Sequence, residues 1–306
     1  MHDKRVAGPL GGSAPAVGRP AADHGTNLRA AGLTVLAVGL FAVSDAVIKL
    51  LTATYPPGQI LFCRGVFACL FLCSYLLLRR RGPIRLPLRD RACWIRSVFE
   101  FAASWCYFHA LAQLPLAEAT AVLFVFPLAL TALAAIVLRE RVGAQRWTAV
   151  AAGLLGVLVI LRPGTAAFDT GALWALGAAL SIALRDLTTR YVRPDVGTES
   201  VALMTTGFST LVAGASAPFG WVPLDALGLL GLATTAALVS VAFVTIVAGT
   251  RMGDVSFTAP FRYVTVPLSF FLGYAIWGQV PDAFVLLGTA IVMLAGLAIL
   301  RRRAGR

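Results

Sequence analysis

Ten apolar runs follow one another along this chain, at about 31–53, 57–78, 94–112, 116–138, 146–161, 171–191, 200–218, 224–248, 256–277 and 283–300. About 20 apolar residues in helical form cross the hydrocarbon core of a bilayer. The pattern therefore predicts an all-α membrane protein with ten transmembrane helices, which fits better than a barrel. Of 306 residues, 58% are apolar and 13% charged, and mean hydropathy is +0.82 over the whole chain, so a soluble globule with a single anchor is excluded. Helix breakers fall between the runs: Pro56-Pro57-Gly58, Arg81-Gly82-Pro83, Pro115, Arg162-Pro163-Gly164, Pro218 with Gly220, and Pro281.

Residues 1–29 are rich in Gly, Ala and Pro and read as a disordered cytoplasmic tail without a signal peptide. The net charge of +12 would suggest nucleic acid in a soluble protein, but its placement gives another reason for it. With the tail inside, 21 of the 26 Lys and Arg residues fall in inner segments, Arg162 alone falls in an outer loop, and Lys49, Arg64, Arg96 and Arg262 lie within spans. Basic residues in short loops stay on the cytoplasmic side. A multi-pass protein of the cell (inner) membrane with both termini cytoplasmic follows, with the lipid bilayer as partner and no nucleic acid.

The chain also repeats itself at an offset of about 140 residues. Asp45 with Lys49 in the first span matches Asp186 with Arg190 in the sixth, Pro127 in the fourth matches Pro267 in the ninth, and the ending Gly156 to Arg162 matches Gly296 to Arg302. Five spans per half is an odd number, so the second half enters the membrane in the opposite direction. The organisation predicted is two inverted repeats, residues 30–162 and 170–303, with a substrate site near the midplane between them.

The repeats, together with Arg96-Ser-Val-Phe-Glu100, Leu114-Pro-Leu-Ala-Glu-Ala-Thr120, Phe126-Pro127, Arg139-Glu-Arg141 and Arg162-Pro-Gly164, resemble the EamA domains of the drug/metabolite transporter superfamily over residues 30–303. Ser44-Asp45, Gln59 with Phe62 and Arg64, Thr258 to Tyr263, and Gly278 to Asp282 resemble the branch containing bacterial S-adenosylmethionine and riboflavin uptake transporters. The family's second Gly-Glu motif reads Gly278-Gln279 here. The resemblance implies a cavity lined by the first, third, fourth, sixth, eighth and ninth spans.

Ionisable groups at membrane depth are costly unless paired, so each is a site candidate. Asp45 and Lys49 stand four residues apart, close enough for a salt bridge, and a structural pair and a site role are equal readings. Asp186 and Arg190 lie nearer the cytoplasmic end, where structure is favoured. Arg96 and Glu100 form the next such pair, and Ser104 and Phe108 continue the Glu100 face at helical spacing. Arg262 has only Asp254 near it in sequence, two turns back, so it requires a partner from another helix or a substrate anion. Tyr263 adds an aromatic surface, and Pro260 and Pro267 weaken the helix around them. Arg64 lies nearer the outer end, Glu118 opens the fourth span there, and Trp105 is the tryptophan singled out for a cavity.

The expected substrate site is thus Asp45, Arg96, Glu100, Trp105, Arg262 and Tyr263, with no catalytic, metal or cofactor residues. Cys63, Cys69, Cys73, Cys93 and Cys106 have no metal spacing, and no phosphate-binding loop or catalytic motif appears. The expected function is secondary transport of a small metabolite by alternating access, most simply uptake of riboflavin or S-adenosylmethionine-like substrates. The alternative is export of amino acids or drugs. Direction, coupling ion and oligomeric state, a homodimer included, are open at this level.

Overall fold

The computed structural model describes residues 24–78, 86–139, 143–164, 169–193 and 196–301, all helices and their connections. The elements are α1 (His24–Leu51), α2 (Pro57–Leu78), α3 (Arg91–Gln113), α4 (Leu116–Leu123), α5 (Phe126–Val137), α6 (Ala144–Leu161), α7 (Gly171–Thr189), α8 (Thr198–Gly214), α9 (Ala226–Met252), α10 (Val255–Thr258), α11 (Thr265–Trp277) and α12 (Ala283–Arg301). A 3-10 turn, Ala259–Val264, joins α10 to α11. Taking α4 with α5, and α10 through α11, as single broken helices leaves ten helical segments at the places the apolar runs predict. Most of the tail and the basic residues Arg79 to Arg81, Arg85, Arg141, Arg302, Arg303 and Arg306 lie outside the described residues.

One boundary differs. Residues 24–29, assigned to the tail from sequence, are the first turns of α1. Asn27 is the physical reason: its Nδ2 donates to Asp254 Oδ2 at 3.0 Å, and its Oδ1 accepts the Asp254 N–H at 2.8 Å. That buried amide ties the helix start to the α9–α10 connection and makes ordering worthwhile.

The breakers end helices by identifiable chemistry. Arg162 closes α6 in the left-handed conformation (φ 45°), and Gly278 closes α11 at φ 65°, where the missing Cβ removes the steric cost. Asp90 caps α3 by accepting the Ala92 N–H, and Asp225 caps α9 by accepting the Gly228 N–H.

Helix pairing organises the bundle. α1 packs on α9 and α11, α3 on α7 and α8, α2 on α8 and α9, α5 on α7, α4 on α11, and α6 on α12. The α6–α12 crossing is backbone against backbone: a Cβ on Gly156 would lie 2.8 Å from the Gly288 carbonyl oxygen. Large apolar side chains such as Leu36, Leu70, Leu155, Leu211, Leu230, Phe243, Phe271 and Leu294 are exposed around the outside. An apolar exterior of this extent suits lipid rather than water. Among the described residues, five helices, His24–Leu51, Pro57–Tyr75, Leu116–Val137, Ala144–Leu161 and Ala226–Met252, are long and apolar enough to cross a membrane. The chain is a multi-pass membrane protein.

Candidate substrate site

Two helices are broken inside the bundle, and their breaks meet. The fourth segment breaks at Phe124-Val125, with Pro127 at the start of α5, and the ninth unwinds into the Ala259–Val264 turn containing Pro260. Proline withholds an N–H and clashes with the preceding turn, which explains both positions. Phe124 and Tyr263 then face each other across the two breaks, ring centroids 5.2 Å apart. Tyr263 is only 3% exposed, and a Cβ on Gly296 of α12 would overlap its hydroxyl. Its neighbour Arg262 is exposed.

A charged centre lies toward the end of the bundle where α1 begins. Arg185 of α7 reaches both acids there: its Nη1 is 3.3 Å from Glu100 Oε2 of α3, and its Nη2 is 2.8 Å from Asp186 Oδ1. Arg96 adds a longer contact to Glu100 at 3.8 Å, and its Nε donates to Thr189 Oγ1 at 3.0 Å. Arg262 lies within electrostatic reach of Asp186. So α3, α7 and the broken ninth segment together supply three guanidinium groups and two carboxylates.

A second centre lies toward the opposite end. Asp45 Oδ2 accepts the Tyr107 hydroxyl at 3.0 Å, joining α1 to α3. Arg64 of α2 stacks over the Phe108 ring at 5.0 Å and is within electrostatic reach of both Asp45 and Glu100. Lys49 does not pair with Asp45. Its Nζ donates to the Leu111 and Leu114 carbonyl oxygens at 2.9 and 2.6 Å, capping the end of α3, and it lies 5.7 Å from the Trp277 ring. The last carbonyls of a helix are unsatisfied and attract a cation, and this contact wins over the neighbouring carboxylate.

Trp105 joins an aromatic column running along α3: Phe101 lies 5.5 Å away and His109 4.8 Å, and His109 stacks at 4.8 Å on Trp174 of α7. Of the six residues picked from sequence, Arg96 and Glu100 share the first centre with Arg262 beside it. Asp45 belongs to the second, Trp105 to the column, and Tyr263 to the packed face behind Arg262. The six residues picked from sequence do not include Arg185 or Tyr107. The adjacent opposite charges of Arg185 and Asp186, one turn before the end of a span, are the signal in the sequence for the first. Nothing local marks Tyr107 as the partner of Asp45.

Each end of the bundle carries a polar latch. At one, Asp90 accepts the Arg193 N–H at 3.1 Å, fastening the start of α3 to the α7–α8 connection. Burial alone would raise the Asp90 carboxyl, but the N–H groups of Arg193, Ala92 and Cys93 outweigh it and hold it below its usual value. At the other, Asp225 Oδ1 accepts the Tyr55 hydroxyl at 2.7 Å, and Gln59 exchanges two hydrogen bonds with the Val222 backbone at 2.6 and 3.0 Å. The Tyr55 hydroxyl and the Gly228 N–H hold the Asp225 carboxyl below its usual value.

The bundle of apolar helices thus keeps paired charges inside and is fastened by hydrogen bonds at both ends. Residues 28–162 match the EamA-like transporter family. The chain is 28% identical over 285 residues to the pseudopaline exporter CntI of Pseudomonas aeruginosa, covering 89% of this chain and 96% of that protein. It is 29% identical over 284 residues to a riboflavin transporter of Rhizobium johnstonii, covering 89% and 91%. To the S-adenosylmethionine uptake transporter of Rickettsia prowazekii it is 25% identical over 262 residues, covering 85% and 88%. A solved crystal structure, 21% identical, shares the fold with a TM-score of 0.61 over 92% of this chain and 99% of the other.

Proposed function

We propose that the chain is a secondary carrier moving a small polar metabolite by alternating access between two inverted halves, residues 30–162 and 170–303. The pattern of helix pairing carries this reading. If each segment is exchanged with the one five places on, α1 on α9 becomes α7 on α3, α2 on α9 becomes α8 on α3, and α5 on α7 becomes α11 on α1. The pairs α2 with α8, α4 with α11 and α6 with α12 map onto themselves. The latches exchange too, since Asp90 starts the third segment and Asp225 the eighth. Two equivalent closures at opposite ends are what a carrier needs to open one side at a time.

The site binds substrate through Asp45, Arg96, Glu100, Trp105 and Arg262, with Tyr263 supporting the broken segment. The column of Phe101, Trp105, His109 and Trp174 offers stacking surface to a planar heteroaromatic group. Uptake of riboflavin or S-adenosylmethionine-like compounds is the first reading, supported by the two uptake relatives. Export is the second, supported by the pseudopaline exporter. The distribution of Lys and Arg supports a topology with both termini inside.

The test is uptake of labelled riboflavin and labelled S-adenosylmethionine into cells expressing the chain, against an empty vector, with and without a proton uncoupler. Saturable uptake of either gives substrate and direction. If neither accumulates while the protein is in the membrane, the uptake reading is wrong, and efflux assays with amino acids and toxic cations decide the second.

A further inference from the structure

The geometry points to an anionic group, carboxylate or phosphate, as the part of the substrate that the centre on α3 and α7 recognises, with Arg262 as the residue that meets it. The inference rests on the carrier reading and names its substrate class. Three guanidinium groups, of Arg96, Arg185 and Arg262, face two carboxylates, of Glu100 and Asp186, and the two acids are already engaged. Arg185 binds both of them. Arg96 uses Nε on Thr189, and its Nη1 is buried without a partner. The Arg262 guanidinium has no hydrogen bond or ion pair among the described residues, and Asp186 lies within electrostatic reach of it.

The acid nearest Arg262 in sequence, Asp254, is tied to α1: its Oδ2 accepts from Asn27 Nδ2 and its N–H donates to Asn27 Oδ1. Asp45 is held by Tyr107. Among Arg96, Arg185, Arg262, Glu100 and Asp186 there is one positive charge in excess, and Arg262 is an exposed side chain at an unwound turn. A cation inside a membrane protein needs a counter-charge, and a guanidinium matches the two oxygens of a carboxylate or phosphate.

Matched pairs of compounds test this on the purified full chain in phosphatidylcholine liposomes. Binding of riboflavin is compared with riboflavin 5′-phosphate, and adenosine with adenosine 5′-monophosphate, by thermal stabilisation and by tryptophan fluorescence. The anionic member of at least one pair should bind about tenfold or more tightly. Arg262→Gln should abolish that preference and Arg262→Lys retain most of it, with both variants eluting as folded protein. Equal binding within both pairs, no binding by any of the four, or a preference that survives Arg262→Gln overturns the inference. In a parallel arm phosphatidylglycerol is added to the liposomes: if it stabilises through Arg262 while soluble anions do not, the anion is a lipid headgroup and the substrate inference falls. Anion preference without transport of any compound would sink the carrier reading instead, and transport without charge preference would sink only this one.

Discussion

Tyr55 donates its hydroxyl hydrogen to Asp225 Oδ1 at 2.7 Å, joining the α1–α2 connection to the first turn of α9. The contact exists because residue 228 is glycine: a Cβ there would overlap the Tyr55 hydroxyl. Gly228→Ala and Tyr55→Phe should therefore lower thermal stability by breaking one and the same contact. The double variant should be little worse than the weaker single one, whereas a full sum of the two losses would show that they act independently.

The same carboxylate sets a pH dependence. Its folded value is held below the usual carboxylate value, about 3.9. A depressed value stabilises fully above the unfolded pKa and is lost as pH falls through the folded one. The stability gap between the native chain and Asp225→Asn should stay constant from about pH 8 to about pH 5 and narrow below about pH 4. A gap that changes near neutrality would contradict the latch.

Lys49 and Asp45 stand one turn apart yet serve different partners, the end of α3 and Tyr107. A thermodynamic cycle with Lys49→Met and Asp45→Asn should return a small coupling, about 0.5 kcal/mol or less, as for sites without a shared contact. Lys49→Met alone should cost about 1–3 kcal/mol through the lost α3 cap. Coupling well above 1 kcal/mol would restore the direct ion pair.

Arg185 holds Glu100 and Asp186 at once. Arg185→Gln should abolish transport with the protein still in the membrane, because it leaves the two half-buried carboxylates of Glu100 and Asp186 without the guanidinium that joins them. Glu100→Gln should also abolish transport. Combining the two should recover part of the stability lost in Arg185→Gln, since the uncompensated charge is removed. Undiminished transport by Arg185→Gln would place the centre outside the substrate path.

At the α6–α12 crossing, Gly288→Val should lower thermal stability by about 1–3 kcal/mol through overpacking against the Gly156 carbonyl. Fluorescence-detected gel filtration after heating reads this directly. A neutral result would mean the two helices can separate at no cost.

Helix number and placement were legible because membrane helices must satisfy every backbone group internally, so length and hydropathy mark each one. The unwound turn was legible from Pro260 and Pro267, although only the structure locates it at Ala259–Val264, where Tyr263 is buried and Arg262 exposed. The pairing of charges was much less legible. Spacing of four suggests Asp45 with Lys49 and Asp186 with Arg190, but helix ends and neighbouring helices compete for the same groups. Lys49 goes to the carbonyls of α3, and Asp186 goes to Arg185.

The sequence by itself determined a membrane-embedded bundle of helices, where they break, and which residues carry charge into it, because these depend on local hydropathy and backbone chemistry. Tertiary structure alone decided which charges meet. Arg185 of α7 finds Glu100 of α3 across 85 residues of chain, and Tyr107 finds Asp45 across 62. Such contacts are set by how helices pack, and packing depends on the shapes of surfaces far apart in sequence, which no local pattern records.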